Sequence, residues 1–208
     1  MSEAKTPRTI DDWFAEGVRC FHKPDGVAAV AALEKVVDLD PGYRHPNGDN
    51  PYFYLGKIHE VEGNLEKAVV LYSRALAVDP IDEESLIGRG SCYTVLKRHQ
   101  DAIDDFSRLL NFPDQHRRVA RKNLLYVIAE NYRQLEDWGQ AVHWGRLAVD
   151  ADPGNERHQE LLKAVQARVR SGSPSSGEGT SSTREGQNDP EPAVSESDPS
   201  DDGAAGMT

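Results

Sequence analysis

Small residues and prolines recur along this chain at a fixed spacing. Gly17, Ala29 and Pro41 stand twelve residues apart, and so do Gly56, Ala68 and Pro80 and, later, Ala129, Ala141 and Pro153. A fourth set, Gly90, Ala102 and Pro113, misses by a single residue. Self-similarity of this kind marks an array of one repeated unit, which buries its core between neighbouring copies and presents one extended surface. Such an architecture supplies docking surface rather than an enclosed catalytic pocket, so the spacing constrains function as well as fold.

Between these anchors the apolar residues keep helical spacing. Leu65, Val69, Tyr72 and Leu76 share one helix face, as do Ile103, Phe106 and Leu110. Each unit therefore reads as a pair of helices of about a dozen residues. The small residues let the two helices of a pair approach closely, since a bulky Cβ branch would hold them apart. Each proline is expected just past a helix end, where it cannot continue the helix. Start signals agree: Asn50-Pro51 reads as an N-cap followed by proline at the first helical position. Asp25, Asn64 and Asp137 open the second helices, and Thr9 with Asp12 has the pattern of a capping box. Gly63 suits the position after a helix C-terminus.

The order of these residues resembles the tetratricopeptide repeat, which runs W-x2-L-G-x2-Y, then A-x3-F, then P, in about 34 residues. Unit one supplies Trp13, Glu16, Gly17, Cys20, Ala29, Leu33 and Pro41, and unit two supplies Tyr52, Leu55, Gly56, His59, Ala68, Tyr72 and Pro80. Unit three supplies Leu86, Arg89, Gly90, Tyr93, Ala102, Phe106 and Pro113, and unit four Leu125, Ile128, Ala129, Tyr132, Ala141, Gly145 and Pro153. The resemblance implies an all-α fold, a right-handed superhelical α-solenoid of helix-turn-helix repeats. The expected boundaries are an N-terminal extension at 1–9, repeats at 10–43, 49–82, 83–116 and 122–155, and a capping helix at 156–170 with Leu161, Leu162, Val165 and Val169 in one stripe.

Departures from the pattern carry their own expectations. Glu16 and Arg89 stand where leucine is usual, which predicts looser packing in units one and three. Gly145 replaces the large residue of the second helix in unit four, and Trp144 is the expected source of the missing volume. The first signature residues, at 13, 52, 86 and 125, are separated by 39, 34 and 39, so two junctions carry five extra residues each.

In this family the first helix of each pair lines a concave groove, and the resemblance places candidate contacts there. Counted from Ile10, Asp49, Glu83 and Lys122, the fifth positions are Phe14, Phe53, Ile87 and Tyr126. The second, ninth and twelfth positions add polar and charged flanks. The expected partner-binding set is Phe14, Asn50, Phe53, Lys57, Glu60, Ile87, Ser91, Asn123, Tyr126, Glu130 and Arg133. An apolar-to-aromatic stripe with mixed charge beside it suits an extended peptide or an amphipathic helix of a protein partner. Chaperone-tail binders of the family use Lys at the fifth and Asn at the ninth position. Here Phe14 and Val18, or Phe53 and Lys57, stand in those slots, which argues against that ligand.

Composition divides the chain. Its formal net charge is −11, and residues 171–208 hold eight acidic residues against one basic residue, Arg184, so −7 of it lies there. That segment is rich in Ser, Gly and Pro and lacks large apolar residues apart from Val194 and Met207, so it is expected to be a disordered acidic tail. No apolar run approaches the ~18 residues that mark a membrane-spanning helix. Two scattered cysteines and no signal-peptide pattern at Met1–Lys5 point to a cytoplasmic protein.

Seven histidines lie outside any metal-ligand spacing, and no nucleophile elbow, phosphate loop or dinucleotide fingerprint occurs. Paired acids such as Asp11-Asp12, Glu83-Glu84 and Asp104-Asp105 read as helix-start or exposed-face residues. The expectation is a non-enzymatic scaffold without cofactor or metal, or alternatively a self-assembling structural protein. A basic cluster, Arg117, Arg118, Arg121 and Lys122, coincides with the second insertion and reads as a solvated overhang. One patch on an acidic array argues against nucleic acid as a partner.

Overall fold

In the computed structural model the described residues are 8–23, 25–113 and 118–172. They form nine α-helices and no strand: α1 Ile10–His22, α2 Gly26–Leu39, α3 Pro51–Val61, α4 Leu65–Val78, α5 Glu83–Val95, α6 His99–Leu110, α7 Arg121–Gln134, α8 Trp138–Ala151 and α9 Glu156–Gly172. The proposed tail lies outside the described residues from position 173 on, as do residues 1–7 and, from the basic cluster, Arg117.

The helix starts have specific causes. Thr9 and Asp12 form a reciprocal capping box: the Thr9 N–H donates to Asp12 Oδ2 (2.8 Å) and the Asp12 N–H to Thr9 Oγ1 (3.1 Å). Asn50, Asp25 and Asp137 cap α3, α2 and α8 through the backbone N–H groups of Tyr52, Ala28 and Gln140. Asn64 differs, because its side chain bonds Glu62 instead of capping α4. Pro41, Pro80, Pro113 and Pro153 all fall past the ends of α2, α4, α6 and α8.

Consecutive helices pack as antiparallel hairpins, α1 on α2, α3 on α4, α5 on α6 and α7 on α8, and each hairpin packs on the next. The first helices also touch along the array, α1 on α3, α3 on α5 and α7 on the added helix α9, and α5 meets α7 where the Thr94 hydroxyl donates to Asn131 Oδ1 at 3.3 Å, so they form one layer. Chain folded in this way is an α-solenoid. Ala29, Ala68, Ala102 and Ala141 are wholly buried. A Cβ added to Gly17, Gly56 or Gly90 would stand 2.6, 2.9 or 3.0 Å from the side chains of Leu33, Tyr72 and Phe106, which are the large residues of the facing helix. The spacing seen in sequence is thus a record of crossing points where one helix supplies bulk and the other supplies none.

Unit four reverses the arrangement. Its first helix carries Ala129 and its second carries Gly145. The space at Gly145 is met by α9, whose Leu162 Cα would lie 3.8 Å from an added Cβ. Leu162 thus stands against that glycine from the neighbouring helix. Trp144 packs both against the unit-four cluster of Ala129, Ala141, Leu161 and Val165, where bulk was expected of it, and towards the core shared by α6 and α7, including Phe106 and Ile128.

Two further expectations are corrected by burial. Asp105 belongs to no exposed face: it is 3% exposed and receives two hydrogen bonds from Arg89, at 2.8 and 2.7 Å. Arg89 also donates to Ser73 Oγ of α4 at 2.9 Å. The arginine that replaces the usual leucine thus ties three helices together instead of loosening the unit. Glu16, its counterpart in unit one, turns outward to Arg19.

Candidate functional site

The layer of first helices carries the candidate site, and the two extended junctions shape it. The segment between α2 and α3 folds back across α1: the Tyr43 hydroxyl donates to Asp11 Oδ1 at 2.6 Å, and Arg44 pairs with Asp79. The segment before α7 does the same to α5. There the N–H groups of Arg118 and Val119 donate to Glu83 Oε1 at 2.7 and 3.1 Å, and the Arg118 guanidinium pairs with Glu84. Lys122 pairs with Asp152 at 2.9 Å. Of the basic cluster, Arg118 and Lys122 are therefore held by carboxylates of the array itself, while Arg121 stays exposed.

This folding decides the fate of Phe14. Its ring lies 5.4 Å from that of Tyr43, stacks on His45 at 5.1 Å and meets Tyr54 edge-on at 5.9 Å, leaving it 3% exposed. Phe14 is a core residue in this arrangement and presents nothing to a partner. Asn50 is also buried, with its side chain committed to the Tyr52 N–H (2.9 Å) and the Ala75 carbonyl (3.3 Å).

The remaining nine candidates lie along three depressions. Phe53, Lys57, Glu60, Ile87 and Ser91 line one of about 290 Å³ between α3 and α5, with Tyr72 and Gly88 beneath and Arg118 at its edge. Ile87, Ser91 and Asn123 reappear in one of about 360 Å³ between α5 and α7, whose walls are otherwise Thr94, Val95, Phe106, Val119, Leu124 and Val127. Tyr126, Glu130 and Arg133 line a third of about 320 Å³ between α7 and α9, where Arg157 and Glu160 face them.

Charge within this face is largely paired. Lys57 Nζ lies 3.1 Å from Glu60 Oε2, which also accepts the Tyr72 hydroxyl. Burial, reinforced by that hydrogen bond to Glu60, holds the Tyr72 hydroxyl far above the ordinary phenol range. Burial pushes Glu130 upward, but hydrogen bonds from Arg133 and Gln134 and the Arg133 charge outweigh it, and the carboxyl sits below its usual value. Tyr126 stacks on His158 at 5.1 Å, and the Arg157 guanidinium lies 5.7 Å from its ring centroid.

Arg118, Val119, Val127 and Arg157 are absent from the sequence-derived set. Val127 sits beside a fifth position, and Arg157 belongs to a helix outside the four repeats. Arg118 and Val119 reach the face only because the junction folds back, which no repeat register encodes. Among the described residues no group of three or more potential metal ligands converges, and no helix is long and apolar enough to cross a membrane.

Comparison with known proteins agrees with this architecture. A tetratricopeptide-repeat family model matches residues 55–116. Among curated proteins, the chain is 20% identical over 177 residues to a DnaJ homolog subfamily C member 7 homolog of Schizosaccharomyces pombe, covering 79% of this chain and 36% of that protein. It is 30% identical over 89 residues to a UDP-N-acetylglucosamine–peptide N-acetylglucosaminyltransferase of Giardia intestinalis, covering 43% of this chain and 6% of that one. The chain thus spans about a third or less of the length of these relatives. Among solved structures, MamA superposes with a TM-score of 0.64 at 18% identity, covering 77% of this chain and 82% of that one. A tetratricopeptide-repeat protein of Parabacteroides merdae gives 0.62 at 21%, covering 77% and 61%. Residues 55–116 thus match the tetratricopeptide-repeat family, and the array as a whole has the fold of such proteins.

Proposed function

We propose that the array is a non-catalytic scaffold that holds an extended peptide or an amphipathic helix of a protein partner on the face of its first helices. The observation that carries this reading is the row of three depressions along α3, α5, α7 and α9, floored by the half-buried Phe53, Ile87 and Tyr126. Partly exposed aromatic side chains over a rigid helical floor are what a peptide anchor needs, and the polar residues beside them fix its register. A cytoplasmic setting belongs to the same reading and is supported by the two free, buried cysteines.

The test combines Phe53→Ala with Tyr126→Ala in the full chain. Circular dichroism should show an intact helical fold. Peptides selected from an unbiased display library on the wild-type protein should lose binding by the ~30-fold or more that removal of anchor residues costs. Retained affinity would move the binding surface elsewhere. Light scattering over a concentration range separates this from self-assembly, which would appear as growth in mass.

A further inference from the structure

The two extended junctions occupy equivalent places in the array, yet they are packed differently. At the first, positions five, nine and twelve of α1 are Phe14, Val18 and Phe21, and position six of the following first helix is Tyr54. These side chains fill the junction: Phe14 and Phe21 meet the Tyr54 ring at 5.9 and 5.2 Å, and Val18 packs in the same cluster. At the second junction the same four positions are Ile87, Ser91, Thr94 and Val127. Every one is smaller than its counterpart. What remains is the open depression of about 360 Å³ between α5 and α7, backed by Phe106 and closed on one side by Val119. Val95, at its mouth, is 67% exposed.

We infer that this slot receives one aromatic side chain from an acidic peptide segment of a partner protein. The inference rests on the scaffold reading above and narrows it to one anchor and one charge. The aromatic character follows from the first junction, where the chain fills the equivalent space with rings of its own, and from walls that are almost wholly apolar. The acidic character follows from the charges around the slot. The carboxylates there are already engaged: Glu84 by Arg118, Glu130 by Arg133 and Asp152 by Lys122. Two cations are not. Lys97 lines the adjoining depression, which shares Thr94 and Val95 with the slot, and has no carboxylate partner among the described residues. Arg121 opens α7 two residues before Asn123, is exposed, and likewise has none among the described residues. A segment lying along α5 and α7 would therefore meet uncompensated positive charge on either side of its anchor.

Fluorescent nonapeptide pools test this by anisotropy against the full chain. One pool has Phe fixed at the centre and Asp or Glu at alternate flanking positions. A second differs only in having Ala at the centre, and a third only in having Lys or Arg at the flanks. The first pool should bind at least tenfold more tightly than either other. Two variants should abolish that advantage while circular dichroism stays unchanged. One is Ser91→Val with Thr94→Phe, which installs the residues of the first junction. The other, Val127→Tyr, fills the slot from the opposite wall and leaves the hydrogen bonds of Thr94 in place. Equal binding of the three pools, no binding of the first, or an advantage that survives both folded variants would overturn the slot. The scaffold reading fails separately: library-selected peptides insensitive to the Phe53→Ala, Tyr126→Ala protein would refute it, whereas peptides sensitive to that change but indifferent to the slot variants would refute the slot alone.

Discussion

Gly88 offers a quantitative test of how the array is packed, because the repeat signature does not include it. It lies in the middle of α5, where alanine would ordinarily be preferred by about 1 kcal/mol. Its neighbour across the hairpin boundary is Tyr72 of α4, a fully buried side chain. A Cβ at residue 88 would stand 2.4 Å from Tyr72 Cζ and 2.7 Å from its hydroxyl oxygen. The ring cannot swing away cheaply, since it is held between Gly56 and Gly88 and its hydroxyl donates to Glu60. Overpacking costs about 1–3 kcal/mol. Displacing the ring also forfeits a hydrogen bond to a charged group, worth about 1.5–3 kcal/mol. Set against the helix-propensity gain, Gly88→Ala should lower stability by about 1.5–5 kcal/mol. Gly145→Ala is the matched control. There the nearest atom, Leu162 Cδ1, would lie 3.6 Å away, an ordinary contact, so the propensity gain should appear as a rise of about 1 kcal/mol. Urea unfolding followed by circular dichroism reads both. A Gly88→Ala protein as stable as wild type, or the two variants shifting in the same direction, would refute the packing described at the α4–α5 boundary.

Three further outcomes follow from other parts of the molecule. Asp105→Ala leaves Arg89 buried without its partner and should cost about 3–5 kcal/mol, while Arg89→Leu with Asp105→Leu should recover most of it; equal losses in the single and double variants would count against the buried pair. Lys97 and Glu136 take φ values of +60° and +58° at the turn position that Gly63 occupies in unit two, so glycine at either should raise the urea midpoint through relief of about 1 kcal/mol of left-handed strain, and an unchanged or lower midpoint would oppose this. Burial, as the leading cause, raises the Cys92 thiol from 9.0 to about 11 and the Tyr54 hydroxyl from 10.0 to about 12. Above the lower values the unfolded chain releases these protons and the folded one does not, so the stability these two groups contribute should be level below about pH 9 and decline from there towards 11–12; a urea midpoint constant from pH 8 to 11 would contradict it.

The sequence by itself determined the helices and their pairing. Gly17, Gly56, Gly90, the four buried alanines and the prolines report close crossings and helix ends, and these are local events whose causes lie within one hairpin. Caps such as Thr9 with Asp12 are legible for the same reason, since donor and acceptor are three residues apart. What the tertiary structure alone decided involves contacts between units or with the junctions. Arg89 reads as a poor substitute for leucine until Asp105 and Ser73 are seen to meet it. Gly88 reads as a weak helix residue until Tyr72 is found against it. Phe14 and Phe53 hold the same register position, yet one is sealed and the other half-open, because only the first lies under a folded-back junction carrying Tyr43 and His45. Register fixes which way a side chain points from its own helix. Whether a partner could reach it depends on what the neighbouring unit and the connecting segment bring over it, and that is set by the packing of distant parts of the chain.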